Sequence, residues 1–339
     1  MNKIFTFLNL FFKVKNRLWG EIVTRTHNTP LYPYIYKSYW HSFLFLKKGE
    51  VVANNNACYF AARPNPGAGI GHQMANWNAG YWFAKQFGLK FAHIPFAQTK
   101  WENFLGFGND EVKVDALRKQ GYKKVLLPLF DENKPEEIVL IQRIIDSYRQ
   151  KNVVFIAEQD QFYHDQYGVM EDIKQKFYTT SSRKADRLIY NNTYFNIAIH
   201  VRRGDISISQ KNKNPNLVMR WQDNKYFEEV LTNVLLTIKI DKPIAIYLFS
   251  QGERGDFTGF EKFDNIHFCL DMGAQDSFLH LIYADLLITS KSSFSYKPAL
   301  LNNGIKVCPR NFWHGYPKTK DWILADEKGQ FEIEKLRNL

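Results

Sequence analysis

The chain has few cysteines and no long apolar run. Its three cysteines, Cys58, Cys269 and Cys308, are widely separated along 339 residues. A small and odd number of cysteines argues against a disulfide framework and is typical of proteins in a reducing cytoplasm. No Cys/His cluster has the spacing of metal ligands, so we expect no metal site. The most apolar stretch, near the N-terminus, falls far short of the ~20 residues that a membrane-spanning helix needs.

Positive charge, by contrast, is abundant. Lys and Arg number 45 against 34 Asp and Glu, which gives a formal net charge of +11. This excess favours an anionic partner, either a phosphate-bearing substrate or an acidic membrane face. Nucleic acid is a weaker choice because neither a long basic block nor a zinc-finger or RNA-recognition signature is present. Aromatic residues make up 16% of the chain, which fits either carbohydrate handling or the amino-acid bias of an AT-rich genome.

Residues 1–18 alternate apolar and basic side chains, with Phe and Leu beside Lys and Arg. A basic amphipathic helix lying on a membrane surface has this pattern. A helix that simply packs on the protein would have it too, so both interpretations stay open. No small-residue cleavage site follows, which argues against a secretory signal. We expect a cytoplasmic protein, with peripheral contact to the inner face of the membrane if residues 1–18 bind lipid.

Strand-like and helix-like segments alternate from residue 57 onward, which predicts an α/β fold with mainly parallel sheets. The predicted strands are 57–62, 90–94, 125–129, 152–157, 194–199, 243–249, 266–270, 286–289 and 305–308. The predicted helices are 72–87, 136–149, 171–190, 223–238, 276–283 and one opened by residues 290–295. We divide the chain into an N-terminal amphipathic and irregular segment (1–56), a first α/β domain (57–190) and a second α/β domain (191–339).

The run from His200 to Asp205 reads His-Val-Arg-Arg-Gly-Asp and directly follows a predicted buried strand. Open α/β sheets bind their ligands at the carboxyl ends of strands. Two guanidinium groups there are suited to a diphosphate because each is planar, permanently charged and able to donate to two oxygens. The alternative is that Arg202 and Arg203 form surface ion pairs. Successive side chains diverge, so we expect one arginine to face the ligand and the other to hold Asp205.

Hydroxyl side chains follow a later strand, in the run Ser290-Lys291-Ser292-Ser293-Phe294-Ser295. Backbone N–H groups at a helix N-terminus attract anions. An ordinary N-cap is the competing explanation, and both can hold together. Asp276 begins the preceding helix, where its carboxylate either accepts hydrogen bonds from a guanine base or caps the helix.

A glycine-rich loop, Gly67-Ala68-Gly69-Ile70-Gly71, precedes His72 and Gln73. It lacks the glycine spacing of a dinucleotide fingerprint, and His93 stands where that fingerprint needs an acidic residue. A nicotinamide-dinucleotide site is therefore poorly supported. We expect the loop to allow close backbone approach or to shape the wall of a cleft.

Taken in order, these motifs resemble glycosyltransferase family 11, the α-1,2-fucosyltransferases, within the wider group that carries a His-x-Arg-Arg-x-Asp motif. The matching segments span about residues 67–310; they are 69–74, 200–205, 247–250 and 292–296, with Ala299 and Leu300. The resemblance implies a GT-B-like enzyme whose two Rossmann-like domains face a cleft, with residues 57–190 on the acceptor side and residues 191–339 binding the nucleotide-sugar donor. It also implies GDP-fucose as donor, no metal or other cofactor, and inversion at the transferred sugar.

The resemblance also implies roles for individual residues. Arg202 would bind the β-phosphate, and His200 and Asp276 would bind the guanosine. Further donor contacts are assigned to the remaining motif residues: Arg203, Ser250, Ser292, Ser293, Phe294 and Ser295. The glycine loop of the cleft would contain Gly69, Gly71 and Gln73.

Three departures from the family pattern bear on the acceptor and on catalysis. His72 replaces an asparagine, Tyr296-Lys297 replaces a pair of tryptophans, and Gln210 stands where related α-1,6 enzymes carry an acidic residue. Our candidates for a general base are therefore Asp205 and His72. A largely dissociative reaction with late proton transfer to phosphate would need neither.

The sequence thus predicts transfer of fucose from GDP-fucose to a hydroxyl of a surface-glycan acceptor, free or lipid-linked. Two alternatives stay open. One is the same site with another nucleotide sugar such as GDP-mannose, and the other is a non-catalytic protein that binds anions or glycans.

Overall fold

The computed structural model describes residues 14–15, 17–46, 58–65, 67–149, 151–160, 162–204, 206 and 218–337. These residues form two compact units that interleave along the chain. Unit 1 contains the described residues up to Arg63 together with Ala79–Ile94 and Val112–Tyr163. Unit 2 contains Pro64–Asn78, Pro95–Glu111 and the described residues from His164 onward. The sequence-based division into 1–56, 57–190 and 191–339 stays a prediction.

Unit 1 is built on a four-stranded parallel sheet with the order β2-β1-β4-β3. Its strands are β1 (Cys58–Ala62), β2 (Lys90–Phe91), β3 (Lys123–Leu126) and β4 (Val153–Ala157). Its helices are α1 (helical residues 17–26), α2 (Lys37–Phe45), the second half of α3 (Ile70–Gln86), α5 (Val114–Lys119) and α6 (Pro135–Asp146). Strand β4 is buried along its whole length because it has a paired strand on each side. Strand β3 lies at an edge and keeps Lys123 and Lys124 exposed.

Unit 2 is built on a six-stranded parallel sheet with the order β10-β9-β8-β5-β6-β7. Its strands are β5 (Phe195–His200), β6 (Ile244–Ser250), β7 (Ile266–Leu270), β8 (Leu286–Ile288), β9 (Ile305–Pro309) and β10 (Trp322–Ala325). The chain starts at the centre with β5, adds strands on one side and then returns to add β8 on the other. This is the strand order of dinucleotide-binding folds, whose ligands bind where the order reverses.

The helices of unit 2 cover the sheet and supply its core. They are α4 (Thr99–Leu105), α7 (Met170–Thr179), α8 (Asn224–Thr237), α9 (Ala274–Tyr283), α10 (Ser293–Leu301) and α11 (Ile333–Arg337), with the first half of α3. Strand residues such as Ile197, Ile199 and Leu248 pack on Phe227 and Val230 of α8 and are fully buried. The continuous apolar runs of β5 and β6 follow from this, because a parallel sheet covered on both faces has no solvent-facing side.

The predicted α/β class, with two units each built on a parallel sheet, is confirmed. The predicted helix over 171–190 is wrong in length: α7 ends at Thr179, because Thr180 is extended and its Oγ1 accepts a hydrogen bond from Asn109 Nδ2 at 3.0 Å. Strand β10 and helices α2, α4, α5 and α11 were not predicted, and neither was the part of α1 beyond residue 18. Most of the proposed N-terminal amphipathic segment, residues 1–13 and 16, lies outside the described residues. In the described part of the chain, no helix is long and apolar enough to span a bilayer.

Candidate active site

A cleft of about 380 Å³ lies at the carboxyl ends of β5, β6 and β7. All of its lining residues belong to unit 2. They are Ala68, Gly69, Ile70, Gln73, Gln98, Lys100, Trp101, His200, Val201, Arg202, Arg203, Phe249, Ser250, Gln251, Met272, Ala274, Ser277 and Phe294. Its volume lies within the roughly 300–1,000 Å³ of small-molecule sites.

The described lining of the cleft is positively charged. Arg202, Arg203 and Lys100 contribute cations, and no carboxylate stands among the lining residues. Cations held in a concave, partly buried surface raise the local concentration of anions. The chemistry of the lining therefore favours an anionic ligand.

Arg203 is held by the protein itself. It is 8% exposed, and its Nη1 donates to the carbonyl oxygens of Arg202 at 2.7 Å and Gln222 at 3.1 Å. Its Nη2 donates to Asn224 Oδ1, and the guanidinium lies over the Trp221 ring, 4.1 Å from the centroid. Burial lowers the pKa of Arg203 to about 10, so it stays charged at neutral pH. Arg203 thus fixes the loop that carries Arg202 while adding its own charge to the cleft.

His200 ends β5 at the point where the strand order reverses. Its Nδ1 lies 2.8 Å from the Ser290 hydroxyl, which follows β8, the neighbouring strand. Burial, together with Arg202 and Arg203, lowers the pKa of His200 to about 3. The imidazole is therefore neutral at physiological pH, and it presents a hydrogen-bonding group rather than a charge.

The loop after β6 is joined to the loop after β5. Ser250 Oγ donates to the Val201 carbonyl oxygen at 2.8 Å. Gly204 has a φ of +77°, and a Cβ at this position would lie 2.3 Å from Gln251 Oε1. This left-handed backbone conformation favours glycine, which explains the glycine in the His-Val-Arg-Arg-Gly-Asp run, whereas the Gln251 side chain is flexible enough to move aside. Asp205, the last residue of that run and a predicted catalytic residue, lies outside the described residues.

The serine-rich segment forms the N-terminus of α10. Ser292 is the N-cap, and its Oγ accepts a hydrogen bond from the Phe294 amide at 3.2 Å. Ser295 Oγ, which is fully buried, accepts from the Ser290 amide at 3.2 Å. The observed contact of Ser292 is that of an ordinary helix cap, which was the competing explanation for this residue. Of the four predicted residues in this segment, only Phe294 lines the cleft.

The glycine-rich loop packs against the start of α10. A Cβ on Gly71 would lie 2.7 Å from the backbone carbonyl of Ser293, whereas one on Gly69 would meet nothing within 4 Å. Gln73 Nε2 donates to the Ala68 carbonyl oxygen at 2.8 Å, and its Oε1 accepts from the Ala97 amide at 2.9 Å. Gly71 therefore permits close backbone packing, and Gly69 and Gln73 form part of the cleft wall.

Two other predicted residues lie outside the lining. Asp276, in the first turn of α9, is exposed, while its neighbours Ala274 and Ser277 line the cleft. His72 is exposed at the start of α3 and does not line the cleft. No side chain caps the N-terminus of α9, and Ala274, in its first turn, lines the cleft. The first amide groups of a helix have no partner within the helix.

Sequence reasoning missed Gln98, Lys100 and Trp101, which begin α4 and line the cleft. They stand about a hundred residues before the arginine motif, and no local pattern marks them. The Gln73–Ala97 hydrogen bond shows how this segment is held beside the glycine loop. Among the residues that the structure describes, no group of three His, Cys, Asp or Glu is arranged to hold a metal ion.

No family model and no curated protein matches the chain. Among solved structures it is similar to the α-1,6-fucosyltransferase NodZ co-crystallised with GDP, at 13% identity and a TM-score of 0.44, over 83% of this chain and 98% of that chain. It is also similar to the fucosyltransferase NodZ from Bradyrhizobium, at 13% identity and 0.41, over 74% and 94%. The heptosyltransferase WaaC of E. coli with ADP matches at 13% identity and 0.39, over 82% and 96%. Likenesses this distant assign no activity to the chain.

Proposed function

We propose that the protein is a glycosyltransferase of GT-B-like architecture that transfers fucose from GDP-fucose to a hydroxyl of a surface-glycan acceptor, with inversion and without a metal. The observation that carries the proposal is the cationic cleft at the carboxyl ends of β5 and β6, lined by Arg202 and free of carboxylates among its described lining residues. A nucleoside diphosphate matches this charge, and the cleft lies where folds of this strand order bind nucleotides.

In this proposal, Arg202 carries the main catalytic role. Cleavage of the sugar–phosphate bond builds negative charge on the departing GDP. A cation fixed beside that charge lowers the barrier when it holds the transition state more strongly than the ground state. Arg203 is itself held in place, because its guanidinium donates to two backbone carbonyl oxygens and to Asn224. One of these carbonyls is that of Arg202, so Arg203 positions the Arg202 backbone.

The remaining groups orient the donor. His200 is neutral, so it binds by hydrogen bonding at the switch point between β5 and β8. The N-terminus of α9 and the side chain of Lys100 complete the anionic subsite in this scheme. Asp205 and His72 remain the two candidates for accepting the proton of the acceptor hydroxyl.

A donor panel tests the proposal. The purified protein is incubated with GDP-fucose, GDP-mannose or UDP-glucose in the presence and absence of glycan acceptors, and the free nucleotide is measured. We expect release of GDP from GDP-fucose above that from GDP-mannose, and little release of UDP. Turnover of GDP-mannose alone would replace the sugar in the proposal. Binding of GDP without turnover of any donor would favour a non-catalytic binding protein.

A further inference from the structure

Unit 1 contains a second and larger cavity, of about 920 Å³. It lies along the edge strand β3, beside α1 and α2 and the loop that leads into β4. All of its lining residues belong to unit 1, so it is separate from the cleft of unit 2. No residue of the proposed donor site contributes to it.

The lining of this cavity is strongly basic. Its six cationic side chains are Lys15, Lys37, Arg63, Lys123, Lys124 and Lys151. The lining contains one carboxylate, Glu158, which is paired with Arg63 at 2.8 Å. Among the described residues, neither Lys123 nor Lys124 forms an ion pair. Burial and the nearby Arg118 lower the pKa of Lys124, so an anion placed beside it would relieve an unfavourable charge.

Aromatic rings form much of the wall. Trp19 meets Tyr36 edge to face, with ring centroids 5.4 Å apart. The His41 ring stacks on Tyr148 at 3.7 Å, and Lys151 Nζ lies 2.6 Å from His41 Nε2. A cavity with cations at its rim and rings along its wall accommodates a ligand that has both an anionic and an apolar part.

The surface beside the cavity is apolar. On α2, the side chains of Trp40, Phe43 and Leu44 are 44%, 60% and 68% exposed. The same helix supplies Lys37 and His41 to the cavity. A helix that exposes tryptophan, phenylalanine and leucine beside lysines has the composition of a segment that lies at a lipid interface.

We propose that this cavity binds a phosphate-bearing lipid, with the phosphate among the lysines of its lining and the apolar chain against the aromatic wall and α2. The lipid phosphate has two possible sources, a bilayer phospholipid or a lipid-linked sugar phosphate. The proposal is independent of the donor site in unit 2, because its test measures binding without any nucleotide sugar.

The test compares two double variants of the full chain that lose the same charge. Lys123→Gln/Lys124→Gln alters the cavity, and Lys318→Gln/Lys320→Gln alters exposed lysines of unit 2 and serves as the control. Thermal unfolding confirms that both variants fold. Sedimentation with vesicles of phosphatidylcholine, with and without phosphatidylglycerol, measures binding to bilayers. Calorimetry with farnesyl diphosphate and with inorganic diphosphate measures binding of a prenyl phosphate and of its head group alone.

We expect wild-type protein to bind phosphatidylglycerol vesicles or farnesyl diphosphate, and the cavity variant to bind about tenfold to thirtyfold more weakly. The control variant should stay within about twofold of wild type, since its lysines lie outside the cavity. The tighter of the two probes identifies the lipid source. Equal losses in both double variants, absence of binding to both lipids, or equally tight binding of inorganic diphosphate would overturn the proposal.

Discussion

The cleft of unit 2 and the cavity of unit 1 are both cationic, but they hold their cations differently. In the cleft, Arg203 is buried and hydrogen-bonded to two backbone carbonyls, and it fixes the loop of Arg202. In the cavity, Lys123 and Lys124 are exposed on an edge strand, and neither forms an ion pair with a described residue. A rigid guanidinium suits one defined anion geometry, whereas flexible ammonium groups tolerate several. Similar charge can therefore be held rigidly in one site and more loosely in another.

The largest effect is expected from Arg202. Replacing it with alanine should reduce turnover of GDP-fucose by about 100- to 1,000-fold, which is the loss typical of removing one fixed group that stabilises charge in a transition state. The measurement is the rate of GDP release. Arg202→Lys should recover a small part of the rate, since it restores charge without the planar fork. Wild-type turnover by Arg202→Ala would show that Arg202 has no catalytic role. The cleft would then not differ from the cavity in that respect.

The second prediction concerns Arg203 and tests, through protein stability, whether this residue has a structural role. Arg203→Ala leaves two carbonyls and Asn224 without their donor, so we expect the free energy of unfolding to fall by about 2–4 kcal/mol. Urea denaturation monitored by fluorescence measures this. The matched change Lys123→Ala in unit 1 should have little effect on stability because its ammonium has no ion-pair partner within the described residues. Similar stability in all three proteins would show that Arg203 is not a structural anchor.

A third and smaller effect concerns the glycine loop. Gly71→Ala places a methyl group 2.7 Å from the Ser293 backbone, and we expect a loss of about 1–3 kcal/mol in stability from this overpacking. Gly69→Ala is the control, because its methyl group would meet nothing within 4 Å. Thermal and urea unfolding of the pair provide the measurement. A Gly71→Ala protein as stable as Gly69→Ala would contradict the packing described for the cleft wall.

The smallest effect is on the pH dependence of stability. The pKa of His200 is lowered to about 3 in the folded protein, whereas an unfolded histidine titrates near ~6.5. Between these values the unfolded chain binds a proton that the folded chain does not, so stability falls as pH drops below ~6.5. His200→Asn should make this slope shallower without removing it, because burial also lowers the pKa values of His314, His280 and His41. Parallel slopes for wild type and His200→Asn would show that His200 does not contribute.

Much of unit 2 could be predicted from sequence because parallel strands bring their carboxyl ends to one edge. His200, Arg202, Arg203, Ser250 and Phe294 stand after or beside such strand ends, and all five line the same cleft. The order of the strands, and hence the switch point between β5 and β8, is a property of the tertiary structure and has no local signal. Helix α7 was predicted too long because its end depends on Thr180 packing against Asn109, seventy-one residues earlier.

The unpredicted parts of the site depend on long-range contacts. Lys100 and Trp101 reach the cleft because Gln73 holds the segment before α4, and neither residue type is distinctive by itself. The basic cavity of unit 1 combines Lys37 of α2 with Lys123 and Lys124 of β3, which are brought together when Ser38 Oγ donates to the Leu126 carbonyl oxygen at 2.7 Å. Net charge predicted an anionic partner, whereas only the fold shows that basic side chains line two separate cavities.

Calorimetric titration with GDP tests the central claim most directly. The titration uses wild type, Arg202→Ala and Arg254→Ala; the last variant removes an exposed arginine of unit 2 that does not line the cleft. We expect the same GDP affinity for wild type and Arg254→Ala, and binding at least about tenfold weaker for Arg202→Ala because a charge-assisted contact is lost. Equal affinity in all three proteins, or no binding of GDP by wild type, would contradict it.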